Sequence, residues 1–129
     1  MPIIRTVAAI FVFLLAPAAF AQSPKLTGEF SKCIDRAGAV DPAIIECMSA
    51  EFGRQDKLLN QTYKKLLAQL SPVQAKKLQD AQRLWVKYTE SNCAFYYDPD
   101  GGTSARQSAN QCAIDARASR TKELENFIQ

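Results

Sequence analysis

The 129-residue sequence has no histidine. That absence excludes imidazole acid–base catalysis and every metal site that needs a histidine ligand. C-x-x-C, G-x-S-x-G, H-E-x-x-H and a phosphate-cradling glycine loop are missing too, so the usual redox, hydrolase, metalloprotease and nucleotide-binding settings are absent. Asp, Glu and Lys are spaced as solvated helix faces, and the chain reads as a non-enzyme with no cofactor and no metal. Asp98-Pro99-Asp100-Gly101-Gly102 opens like a calcium loop but lacks the later ligands and terminal Glu, and reads as a plain turn. No strand pattern, internal repeat or low-complexity tract is present.

A strong excess of one charge is lacking as well. Sixteen basic residues stand against thirteen acidic ones, a net charge of +3, which argues against a nucleic-acid binder. The apolar run from Val7 to Leu15 is too short for a membrane span, which needs about 20 residues. Preceded by Arg5 and followed by Ala19-Phe20-Ala21, it has the layout of an export signal cut after Ala21. The expected organisation is a signal peptide over residues 1–21 and a single domain over 22–129. That domain is expected to be periplasmic or secreted, with no membrane attachment after cleavage.

Export makes disulfides the natural state of the four cysteines, Cys33, Cys47, Cys93 and Cys112. Of the three possible pairings, Cys33–Cys47 and Cys93–Cys112 are favoured, because each joins segments already brought together by a local turn. Loops of these lengths stabilise a small domain by about 3 kcal/mol each in the chain-entropy model.

The helical signals follow in order. A loose arm from Gln22 to Gly28 leads to a short helix over Glu29 to Ala37, ended by Gly38. Asp41-Pro42 starts a long helix with Asp41 as cap, carrying Met48, Phe52, Leu59, Tyr63 and Leu66 on one face as far as Leu70. Gly53 within it marks a close helix contact or a bend. Ser71-Pro72-Val73-Gln74 is a capping box opening a second long helix to about Tyr97. After the turn Asp98 to Ser104, Ser104 and Gln107 repeat the cap pattern for a third long helix to the carboxyl end. The fold class is therefore all-α: an up-down bundle of three long helices plus a short N-terminal helix, with two disulfides.

Core candidates are Trp85, Tyr88, Tyr63, Leu59 and Phe52. Trp85 and Tyr88 are expected to pack against the small residues Ala105, Ala109, Ala113 and Ala116 of the last helix, beside Leu124 and Phe127. Asp56 and Arg120 interrupt apolar stripes, so a buried polar group is expected: Asp56 paired with Arg117 or Arg120, or accepting from the Trp85 indole. The alternative is that both reach solvent along their stems. Lys64, Lys65, Lys76 and Lys77, with Arg117, Arg120 and Lys122 returning, form a basic pole at the Ser71 turn. Asp98 and Asp100 form an acidic one opposite.

Several elements together resemble the LprI-like lysozyme-inhibitor family of small exported bacterial proteins. They are Asp56-x-x-Leu-Asn-x-x-Tyr63, Ala81-Gln-Arg-x-Trp-x-x-Tyr88, Cys93 eight residues after Trp85, Gly101-Gly102, Cys112, and Arg120-Thr-x-Glu-Leu124. Thr89 stands where an arginine is common in the family. The resemblance implies a disulfide-stabilised helical periplasmic domain and, for some members, inhibition of lysozyme or another muramidase. An inhibitor must fill a cleft holding two carboxylates. Two surfaces of this chain suit such a cleft. One is the turn with Asp98, Asp100, Thr103 and Ser104, held by the second cysteine pair; the other is the lysine pair Lys76 and Lys77. The rival reading is a non-inhibitory envelope module that binds an anionic polymer or a protein through the lysine pole.

Overall fold

Four helices fill most of residues 25–129, the part of the chain described by a computed structural model: α1 Gly28–Ala37, α2 Asp41–Leu67, α3 Pro72–Phe95 and α4 Gly102–Glu125. No strand occurs among the described residues. The expected export signal and its Ala19-Phe20-Ala21 site lie outside them.

Local chemistry sets the helix starts. The Ser71 hydroxyl accepts from the Gln74 N–H at 3.3 Å, the predicted cap of α3. Thr27 caps α1 in the same way, accepting from the Phe30 N–H at 3.2 Å. The other two starts differ from expectation. Asp41 is the first residue of α2 rather than its cap, and its carboxylate accepts from Gln107 Nε2 at 2.9 Å. α4 begins at Gly102 without a side-chain cap, two residues before Ser104. At the other ends, α2 and α3 stop at Leu67 and Phe95, and the following residues finish in single turns.

Cross-helix bonds give the chain directions. Asp41 with Gln107, Asp56 with Arg117 and Gln69 with Gln129 rise together, so α2 and α4 run parallel. Gln82 with Arg120 and Asn92 with Cys112 run in opposite order, so α3 is antiparallel to α4. Both expected disulfides are present, with Cα–Cα distances of 5.7 Å for Cys33–Cys47 and 5.4 Å for Cys93–Cys112.

α4 lies mainly along α2. Ile114, Ala118 and Thr121 make a buried line on it, and Leu124 joins Leu59 and Leu66 in a cluster packed by Tyr63, Leu70, Leu78, Trp85 and Ile128. Two predicted core residues lie elsewhere. On α2 the buried line runs through Met48, Glu51, Gln55 and Leu59, so Phe52, about 100° from Glu51, sits at the surface margin, 36 % exposed. On α3, Thr89 and Cys93 fix the inward direction; Tyr88, about 100° from Thr89, points outward and is 66 % exposed. Phe127 is exposed too, beyond the end of α4. Gly53 marks no close contact: a Cβ there would meet nothing within 4 Å, and α2 continues through it.

Glu51 is fully buried because four donors surround its carboxylate. The Thr27 N–H (2.9 Å) and Gln55 Nε2 (2.8 Å) donate to one oxygen, the Thr27 hydroxyl (2.5 Å) and Arg54 Nε (2.7 Å) to the other. Burial alone raises the pKa of this group, but the bonds from Gln55, Thr27 and Arg54 outweigh it and hold the pKa below the ordinary value. The arm expected to be loose is thus tied down at Thr27.

Candidate functional site

The tip between α3 and α4 is built by its backbone. Tyr96 N–H and Tyr97 N–H close the last turn of α3 on Cys93 O and Ala94 O. Asp98 then makes two turn bonds: its carbonyl accepts from Gly101 N–H at 3.0 Å, and its carboxylate from Asp100 N–H at 2.9 Å. A Cβ at Gly101 would meet the Ala105 Cβ at 2.7 Å, and Gly102 holds φ +62°, so both glycines are required by the turn. Cys93–Cys112 ties the helices behind it, and the Gln107–Asp41 bond anchors the start of α4 to α2.

Asp98, Asp100 and Ser104 are exposed on this tip and Thr103 is half-buried. Next to them stand Phe95, Tyr96 and Tyr97, all exposed, with Phe95 at 85 %. The sequence carries the signal for this aromatic cluster: three consecutive aromatics at about 100° per residue point three ways and cannot share one buried face. The absence of a side-chain cap leaves the first N–H groups of α4 open at the same place.

The lysine candidates lie at the other end of the bundle. Lys76 is committed to Asp80 at 2.7 Å, and Arg83 pairs with the same carboxylate; the hydrogen bonds from Lys76 and Arg83 hold the Asp80 pKa below its ordinary value. Lys77 makes no ion pair among the described residues. Arg117 and Arg120 do not join this pole. Arg117 donates through Nε to Asp56 at 2.9 Å and through Nη1 to Ala113 O at 3.1 Å, with its guanidinium 3.9 Å above the Phe52 ring centre. Asp56 thus has one of its predicted partners, but it is not the buried group expected: its side chain is 43 % exposed at the bundle surface, where Asn60 also donates to it at 3.0 Å. Arg120 instead binds Gln82 at 3.0 Å and Glu123 at 2.7 Å, near the Trp85 ring.

Between α3 and α4 a groove of about 360 Å³ is lined by Phe52, Trp85, Thr89, Glu90, Asn110 and Arg117. The Arg117 guanidinium at its edge is held by Asp56 and the Ala113 carbonyl. Thr89 is buried in its wall. Among the described residues no three Cys, Asp or Glu are placed to hold a metal ion, and no helix is long and apolar enough to cross a membrane.

The family model for lysozyme inhibitor LprI matches residues 33–124, a span that takes in both disulfides, the Asp56–Arg117 pair and the whole tip. The chain belongs to the LprI family. No curated protein and no solved structure matches it. LprI is a family of inhibitors rather than enzymes. In this LprI protein the match stops short of Thr27, so one half of the Glu51 clamp lies outside the family span.

Proposed function

We propose that this LprI protein inhibits a lysozyme or related muramidase after export, using the tip from Phe95 to Ser104 as the inserted element. The observation that carries this reading is one place holding exposed aromatics, two carboxylates and the open start of α4, all on a turn fixed by a disulfide and two required glycines. Phe95, Tyr96 and Tyr97 offer large contact area, of the kind that anchors protein interfaces. Asp98 and Asp100 suit the basic rim of a cationic lysozyme. The open N–H groups and hydroxyls of Thr103 and Ser104 suit the cleft carboxylates. A turn already held in shape loses less entropy on binding.

The test is turnover of a cell-wall suspension by several lysozyme types, with the oxidised protein titrated in beside a reduced and alkylated control. Inhibition by the oxidised form alone is expected, and the triple variant Asp98→Ala, Asp100→Ala, Thr103→Ala should lose it. Full inhibition by that variant would remove the tip from the mechanism. No inhibition of any lysozyme would favour the second reading, an envelope module gripping an anionic polymer through Lys64, Lys65 and Lys77. That interaction would weaken steeply with salt.

A further inference from the structure

The groove that holds Arg117 at its edge is one half of a longer trough. α2 and α3 both pack on α4, and Ala109 and Ala113 of α4 give the space between them a floor of methyl groups. Next to it a second hollow of about 380 Å³ is lined by Tyr63, Gln79, Gln82 and Lys87, and the two hollows share Val86 and Glu90. From Gln79 to Ala94 the trough follows α3 for about 22 Å. Its opposite wall carries Phe52 and Tyr63, eleven residues apart on α2 and so within about 20° of one helical direction.

Three features say what fits this trough. Its walls hold three aromatic rings, Phe52, Tyr63 and Trp85, none of them fully buried. Between the rings stand polar groups with bonding capacity to spare. The side chains of Gln79, Glu90 and Asn110 make no hydrogen bond among the described residues. Arg117, over the Phe52 ring, has Nε and Nη1 engaged and Nη2 without a partner among the described residues. Charge, finally, cancels: Arg117 is paired with Asp56 and Arg83 with Asp80, while Lys87 and Glu90 stand one turn apart on α3. Such a surface gives an ionic ligand no advantage.

The geometry points to an uncharged, N-acetylated saccharide strand as the ligand of this trough. A sugar ring offers an apolar C–H face that packs on an aromatic ring, and a rim of hydroxyls that both donate and accept. Gln79 and Asn110 match acetamido groups amide to amide, with donors and an acceptor on each side. Glu90 accepts from hydroxyls, and Nη2 of Arg117 donates to them. Rings along both walls, with polar groups spaced between them, suit a linear chain of such units. An extended peptide fits less well, because its backbone asks for a row of free backbone partners and those of α2 and α3 are bonded within their helices. No residue of the tip from Phe95 to Ser104 lines the trough, so this inference stands apart from the inhibitor reading.

Trp85 is the only tryptophan of the chain, so its emission reports on this trough and the test needs no lysozyme. Titrating the oxidised protein with chitotetraose, the linear uncharged tetramer of N-acetylglucosamine, should shift that emission saturably, with a Kd on the order of 1 mM or tighter. The affinity should be the same at about 20 mM and about 500 mM salt, since the ligand is neutral. Glu90→Ala and Asn110→Ala, both outside the core cluster, should each weaken binding about fivefold, the worth of one hydrogen bond, with unchanged melting. The tip variant Asp98→Ala, Asp100→Ala, Thr103→Ala should bind as wild type does. An emission indifferent to the tetramer up to about 20 mM, wild-type affinity in both Glu90→Ala and Asn110→Ala, or an affinity that collapses with salt would each overturn the proposal. So would a response to an uncharged peptide of similar length and none to the saccharide, which would assign the trough to protein chains.

Discussion

α3 and α4 are equal in length at 24 residues, antiparallel, and tied by one disulfide, yet they spend their side chains in opposite ways. α3 carries Val73, Leu78, Leu84, Trp85, Val86, Tyr88 and Phe95, and its buried residues are only Thr89 and Cys93. α4 has few large apolar residues, but Ile114 and Leu124 are both almost completely enclosed, with Ala118, Thr121 and the Arg120 stem beside them. The difference shows that apolar content does not decide which helix forms the centre. Small residues on α4 let α2 and α3 approach it from two sides. Polar groups then go inside where donors satisfy them, and much of the apolar surface of α3 stays exposed.

The contrast is sharpest for a pair of leucines. Leu124→Ala, at 1 % exposure, should cost about 2–5 kcal/mol through lost burial and the cavity left behind. Leu84→Ala, on the outward face, should change the stability of the monomer by about 0.5 kcal/mol or less. Thermal melts at low concentration, with both variants side by side, read the difference directly. Similar losses at the two sites would break the comparison and mean that α3 is packed on both faces within one chain.

The fold is legible in the sequence because its signals are local. Ser71 with Gln74, Gly38 and the proline-bearing starts each act within a few residues, and the cysteines pair across single turns, 14 and 19 residues apart; together they mark four helices and both disulfides. Helix rotation is not legible from apolar periodicity. On α2 the stripe through Phe52 competes with one through Glu51 and Gln55, and the second wins because Thr27, 24 residues upstream, brings donors to Glu51. Periodicity cannot register a partner so distant in sequence. Tyr88 departs from expectation for the same reason, since Thr89 and Cys93 set the angle of α3. The Asp56–Arg117 pair is within reach of the sequence, because a charge on an apolar stripe asks for a partner. The tip carboxylates are visible as turn chemistry, and the aromatic cluster beside them shows only in that three consecutive aromatics cannot share one buried face.

The buried polar side of the contrast predicts a smaller effect with a pH signature. Glu51→Gln leaves donors facing an amide N–H₂ and should cost about 1–3 kcal/mol near neutral pH. The folded-state pKa of Glu51 is lowered, so its contribution is complete above the ordinary value of 4.5 and is lost as pH falls through the lower folded value. Wild type and Glu51→Gln should therefore differ in melting temperature at pH 7 and converge in acid. A constant gap down to pH 3 would mean that the carboxylate charge contributes nothing and only its shape matters.

The smallest effect should be opposite in sign. Gly53 is exposed in the middle of α2, and a Cβ added there meets no atom within 4 Å. Packing has no part at such a position, so backbone propensity decides. Gly53→Ala should stabilise the protein by up to about 1 kcal/mol, raising the melting temperature by up to about 4–8 °C in a domain of this size. Like Leu84→Ala, it probes a surface that is open within one chain. No gain, or a loss, in thermal melts of the two proteins side by side would mean that something other than helix propensity sets the backbone at Gly53.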